Sequence, residues 1–376
     1  MVFKKVRRRQ PNGFTPVPID QDSNNHGDDG DANYPDEIEQ LQLRIEELEL
    51  ENSWLSKKLN GENGVLKQKK IVSPGSCLTA DEVERFGLHY VFFDDKRQGR
   101  AGATLNKDRF RSNYGVGPGA VAALILMLTE RGHTINLVYM MMTLCHLNHY
   151  LSEHAMSGPW GIGEKCFREK VKEYTKMIQS LKPDLIKFEG WGSDEIHLIS
   201  VDGCNFRTQE FRLDPHSKWY DHKSHSSGVS YEFALAIRRN KLVWMRGPFP
   251  AGAQHDITTF RGGRKEDGID NWDKDALYHH MPPGTKAVGD SGYSGHPEKV
   301  TTSSKVHSED FSQFITRAKN RQENFHSRLK RFDVLTKRFR HGISTEDKLE
   351  QHKMCTEAVC VLVQLDMDNG HPLWEV

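Results

Sequence analysis

The chain has 376 residues, enough for a catalytic-size core with accessory parts, and Lys+Arg and Asp+Glu stand at 52 each, so net charge selects no partner. Six scattered cysteines (Cys77, Cys145, Cys166, Cys204, Cys355, Cys360) have no zinc-finger spacing and read as reduced thiols of an intracellular protein, which excludes a disulfide scaffold. The most apolar stretch, Ala120 to Leu128, is far too short to span a bilayer and ends in Glu130-Arg131, so a soluble protein is expected.

Charge is nevertheless segregated along the chain. Residues 20–51 are acidic with a single arginine, whereas 317–341 are strongly basic, a division that suits a nucleic-acid surface at one end. Residues 1–32 are polar and rich in Gly, Asp and Asn, which predicts disorder. Within them Lys4-Lys5-Val6-Arg7-Arg8-Arg9 fits either a nuclear address or a phosphate-binding arm, and the absence of an apolar run after it argues against a secretory signal.

Residues 33–68 predict a coiled coil. Ile38, Leu41, Ile45, Leu48, Asn52, Leu55, Leu59 and Leu66 keep a heptad spacing that fails only at position 62. Asn52 at one core position is a register-setting choice, so a homodimer through residues 38–66 is expected over a lone amphipathic helix. Residues 69–104 read as a linker with one short helix near Thr79 to Phe86.

From 105 to 185 the pattern is helical: Asp108 to Tyr114, Val121 to Leu128, Leu137 to Leu151 and Glu164 to Leu181. The last carries Phe167, Val171, Tyr174 and Ile178 on one face, with Lys165, Arg168 and Lys172 among the cations opposite. A helix, a Gly-containing turn and a basic helix fit a helix-turn-helix DNA reader; a plain helical subdomain with solubilising lysines fits as well.

After Gly190 the period becomes strand-like. Ile196, Leu198 and Ser200 alternate with His197, Ile199 and Val201 up to Asp202-Gly203. Phe206 to Leu213, then Tyr231 to Ile237, then Leu242 to Met245 continue as extended segments, followed by a short helix from Asp256 to Phe260. Thr285 to Gly289 delivers Asp290, and a last helix spans Asp347 to Leu365. Between these lies a basic helix on which Phe325, Leu329, Phe332 and Phe339 keep a buried-face spacing and Glu323 points the opposite way. The succession implies an α+β, mixed-sheet fold for residues 190–376.

A lone exposed Glu on a basic helix is most simply a solvated charge, and Asp before Gly is a common turn. Asp202, Asp290 and Glu323 in this order are a stronger signal, because carboxylates supply both the hard oxygen and the countercharge that Mg²⁺ or Mn²⁺ require. Two such ions can drive in-line phosphodiester cleavage.

Ser200-Val201-Asp202-Gly203, Lys223 with Ser230-Tyr231-Glu232, Gly247 to Gly252 with His255-Asp256, Gly289-Asp290-Ser291-Gly292-Tyr293, and Arg321-Gln322-Glu323 through Arg340-His341-Gly342 together resemble the DDE superfamily endonucleases of PIF/Harbinger-type transposons. The resemblance covers about residues 190–376, with an added charged insertion between Gly262 and Pro283. It implies an RNase H-like mixed sheet flanked by helices, with Asp202 on the first strand, Asp290 on the fourth and Glu323 on the helix as catalytic, metal-holding acids. Asp256 matches a recurrent His-Asp of the family and is assigned an accessory role. The resemblance further implies a divalent-metal-dependent DNA endonuclease or transposase of the nucleus, one that works beside a Myb-like companion. Arg328, Lys330 and Arg331 are candidate phosphate contacts, and Lys165, Arg168 and Lys172 candidate DNA contacts of the helical region. A domesticated, non-cleaving DNA-binding or scaffold protein is the rival reading.

Overall fold

The computed structural model describes residues 71–91, 100–192, 195–253, 255–304 and 307–376, together with Gln42, Arg44, Ile45, Leu48 and Glu49. Those five are helical with exposed side chains; the rest of the expected coiled coil and the tail 1–32 lie outside the described residues. The described residues from Ile71 onward form one compact unit.

That unit opens with β1 (Ile71–Val72) and α1 (Ala80–Tyr90). The Thr79 hydroxyl accepts from the Glu82 amide while the Glu82 carboxylate reaches back to Thr79, a reciprocal cap that starts the helix. This is the short helix expected near Thr79 to Phe86, but Val83, Phe86 and Leu88 are buried, so it packs into the core; residues 69–70 and 92–99 of the expected linker lie outside the described residues. Then come α2 (Arg100–Tyr114), α3 (Pro118–Glu130), β2 (Ile135–Asn136), α4 (Leu137–His149), α5 (Glu153–Ser157), α6 (Glu164–Gln179) and α7 (Lys182–Leu185). Strand β2 pairs with β1. The chain from Tyr150 to Gly163 separates α4 from α6 and contains α5 and a 3-10 turn, whereas a helix-turn-helix joins its helices by three or four residues. The two helices are therefore not that tight pair.

The sheet follows: β3 (His197–Arg207), β4 (Tyr220–Asp221), β5 (Ser226–Ala236), β6 (Leu242–Pro250), α8 (Asp256–Arg261), α9 (Leu277–His280), β7 (Lys286–Val288) and β8 (Val300–Thr301). Strand β3 runs straight through Asp202 instead of ending there, and Phe206 and Arg207 belong to it, so no separate strand spans Phe206 to Leu213. Spatial order across the sheet is β6-β5-β3-β7-β8, antiparallel across the first three strands and parallel beyond, with β4 extending the β5 edge.

Helices α10 (Glu309–Leu329), α11 (Asp333–Thr336) and α12 (Thr345–Asp368) complete the chain. Helix α10 starts on a Ser308 cap with Glu309 and Asp310 in its first turn, where the helix dipole favours negative charge. It ends at Leu329, so Phe332 and Phe339 are buried from the segments after it and not from one continuous helix. One face of the sheet packs Cys204, Phe206, Tyr231 and Phe233 against the helical half and α12; the other packs Val201, Ala234 and Val243 against α8 and α9. Helix α12 binds both halves. Asp366 pairs with Arg111 at 2.6 Å and accepts from the Gly117 amide, Glu357 pairs with Lys182 at 2.6 Å, and Gln364 accepts from the Leu242 amide of β6. Helical region and sheet thus share one core where two domains were expected.

Candidate active site: four carboxylates in one cavity

The parallel register sets Ser200 opposite Val288, and two residues further along each path come Asp202 and Asp290. Both acids therefore stand side by side just past the point where the parallel pairing of β3 and β7 ends, Asp202 within β3 and Asp290 beyond the last residue of β7. Strand alternation puts Asp202 on the same face as Ser200, whose hydroxyl donates to Gln322 Oε1 at 2.9 Å. That bond lays α10 across β3. The Gln322 amide nitrogen donates to the Phe233 carbonyl of β5 at 3.1 Å. Arg321, 2 % exposed, donates to the carbonyls of Ala236, Ile237 and Arg239 where β5 ends. Expected as one of the solvated cations of a basic helix, Arg321 is instead a buried anchor. With its two predecessors fixed, Glu323 projects outward into the space above Asp202.

Asp202, Asp256, Asp290 and Glu323 all line one cavity of about 850 Å³. Asp256 heads α8 and enters from the opposite face of the sheet to Gln322. A Cβ on Gly203 would lie 2.6 Å from Asp256 Oδ1, and one on Gly292 2.6 Å from Asp256 Oδ2. The glycines after Asp202 and Asp290, which read in sequence as turn residues, are also what lets Asp256 close in. Asp202 Oδ1 accepts from the Gly203 amide and Asp290 Oδ1 from the Gly292 amide, each at 2.8 Å.

The electrostatics are dominated by uncompensated negative charge. Burial, and then Asp290, push the Asp202 carboxyl up to about 7, with Asp256 and Glu323 adding to the effect. Asp256 is raised as well, by burial and by Asp290. The nearest base to Asp202 is His326, Nδ1 to Oδ2 at 3.6 Å, but burial holds that imidazole down to about 3 and therefore neutral. Because the Gln322 NH₂ can only donate, the contact at 3.4 Å makes His326 Nε2 the acceptor, leaving the ring proton on Nδ1 toward Asp202. None of the four acids forms an ion pair with Lys or Arg among the described residues.

Lys223 and Lys330, with Arg207, His222 and His255, line the rim of the cavity. Arg331 is exposed beside them in sequence. Arg328 is turned elsewhere: its guanidinium holds the carbonyls of His371 and Pro372 and the Asn324 side chain, tying the C-terminal segment to α10. It is not available for the phosphate contact expected of it. On α6, Lys165, Arg168 and Lys172 are exposed, and Arg168 pairs with Glu153 of α5. Sequence reasoning gave Ser200 and Gln322 no role; nothing in their local spacing shows that one bond joins them across 122 residues.

A mixed sheet flanked by helices fits an RNase H-like DDE domain. Residues 201–364 match the family described as DDE superfamily endonuclease. No curated protein matches the chain.

Proposed function

We propose that this chain is a divalent-metal-dependent DNA endonuclease or transposase of the PIF/Harbinger type, with Asp202, Asp290 and Glu323 as its catalytic acids. The observation that carries the reading is the convergence of these residues on one cavity, none of them in an ion pair with Lys or Arg among the described residues. Hard oxygen donors with surplus negative charge suit Mg²⁺ or Mn²⁺. As the side chains stand, no three His, Cys, Asp or Glu among the described residues form a closed ligand set, so binding ions would require these side chains to adjust. Asp202, Asp290 and Glu323 would hold them.

Two such ions, when bound, supply a more acidic water and countercharge for the leaving oxygen. The chain's own contributions are orientation and substrate grip. Gln322 and Arg321 fix the helix that presents Glu323. The Gly203 and Gly292 amides fix the carboxylates of Asp202 and Asp290. Lys223 and Lys330 at the rim meet the phosphodiester backbone. Strand transfer would place a freed 3′-hydroxyl where water sits for hydrolysis.

The test is cleavage of a DNA duplex in Mg²⁺ and in Mn²⁺ by the parent, Asp202→Ala and Glu323→Ala. Both variants should fold and bind DNA without cutting. Cutting at parental rate by both would overturn the assignment. Binding by the parent without nicking in either metal would favour a domesticated, non-cleaving protein. Duplexes with and without terminal inverted repeats separate a transposase from a general nuclease.

A further inference from the structure

A second concave surface adjoins the carboxylate cavity and has no part in the scheme above. It has a volume of about 670 Å³ and is built from the β3–β5 connection together with Arg338. Consecutive residues line the two cavities at the end of β3 and just before β5. Arg207 lines the first and Thr208 the second; Ser224 lines the first, His225 and Ser226 the second. At about 3.3 Å per residue, the six steps from Asp202 to Thr208 span roughly 20 Å.

Charge reverses along this path. The first cavity is floored by carboxylates, whereas the second holds Arg212 and Arg338 with Glu210 as its one acid. Both arginines are exposed, and among the described residues neither they nor Arg207 at the boundary form an ion pair, while Lys218 in the same connection is paired with Asp214 at 2.8 Å. Tyr220, 41 % exposed, lies at the wall with His222 edge-on to it.

The scaffold beneath is rigid. Phe211 and Trp219 stack at 4.0 Å, and Lys348 of α12 lies over Phe211 while donating to the carbonyls of Gln209 and Glu210. Gln209 donates its amide to the Phe339 carbonyl at 2.8 Å, which holds the Arg338 segment against the connection. The unpaired cations are thus displayed on ordered backbone.

We propose that this second cavity is a subsite for a single nucleic-acid strand flanking the cut position, with Arg212 and Arg338 on its phosphates and Tyr220 stacking a base. A volume in the range of small-ligand pockets admits a nucleotide or two of one strand, not a duplex. Aromatic faces and unpaired cations are the elements with which proteins hold single strands. The subsite rests on the nuclease reading, because it takes its strand from the neighbouring acidic cavity.

The test uses the full chain without divalent metal, so that nothing is cut, and compares a forked duplex bearing two single-stranded tails with the same duplex blunt-ended. The parent should bind the fork more tightly. Arg212→Ala/Arg338→Ala should weaken fork binding by about ten-fold or more, flatten its salt dependence by roughly 1.4 in log–log slope, and leave blunt duplex unchanged. Tyr220→Leu should cost about ten-fold on the fork and Tyr220→Phe little, since stacking survives. Equal binding of fork and blunt duplex by the parent, or equal losses on both in the variants, would overturn the subsite. If the parent cuts in Mg²⁺ while these variants bind forks normally, the subsite fails and the nuclease reading stands. If the parent prefers forks through these residues but never cuts, the reverse holds.

Discussion

Helices α6 and α10 both read in sequence as amphipathic and basic, and they use their charges in opposite ways. On α6 the cations stay at the surface and find local partners: Arg168 meets Glu153, and Lys170 meets Glu173 at 2.8 Å. On α10 Arg321 and Arg328 are spent on backbone carbonyls, and the residue left over is an acid, Glu323, facing three more acids. A count of basic residues cannot separate the two. What separates them is which charges remain unpaired after the fold has used the rest.

The contrast breaks first, and most visibly, at Glu323. Glu323→Gln keeps size and hydrogen-bonding capacity but removes the charge; cleavage should fall by about a thousand-fold or more with the urea midpoint unmoved. An unchanged rate would make Glu323 no different from the surface acids of α6. Next in size is Arg321→Ala, which strips three carbonyls of their donor in the core. A loss of about 3 kcal/mol in urea unfolding is expected, and a loss near zero would return Arg321 to the solvated class.

Glu232 sharpens the same point with no helix involved. It is 1 % exposed, its Oε2 accepts only from Trp244 Nε1 at 3.3 Å, and burial pushes its carboxyl up to about 8 from an ordinary 4.5. Between those values the folded chain binds a proton that the unfolded chain has lost. This stabilisation is complete below 4.5 and declines as pH rises toward 8, by at most about 1.4 kcal/mol per pH unit. Because other buried groups titrate in the same range, the readout is the difference from Glu232→Gln: urea unfolding should show the parent's stability relative to the variant falling between pH 5 and 8, and a difference that does not change with pH would mean the carboxyl is already ionised. The smallest effect belongs to α6: Lys172→Ala should leave the urea midpoint where it was, since an exposed lysine there packs nothing.

Much of this arrangement can be read without coordinates. Alternation located β3, β5 and β6, and helical spacing put Phe325 and Leu329 inward with Glu323 outward. The order of the acids matched a recognisable pattern. Local pattern could not supply the long-range terms. Strand β8 is two residues long, too short for any period, yet it completes the parallel side of the sheet. The burial of Arg321 depends on the end of β5, more than eighty residues earlier. Asp256 read as accessory because its approach to the other acids depends on two missing side chains, at Gly203 and Gly292, and an absent Cβ leaves no periodic trace.

Helix α12 carries a last implication. It is buried for most of its length, and its polar side chains are divided: Asp366 and Glu357 serve the helical half, Gln364 and His352 the sheet, the latter through Tyr231 at 2.8 Å. Neither half therefore owns it. Swapping the helical half for that of a distant relative would strand Asp366 and Glu357 without their cations in a dry seam. The two halves thus hold α12 jointly, and replacing either one alone would have to supply new partners for these side chains.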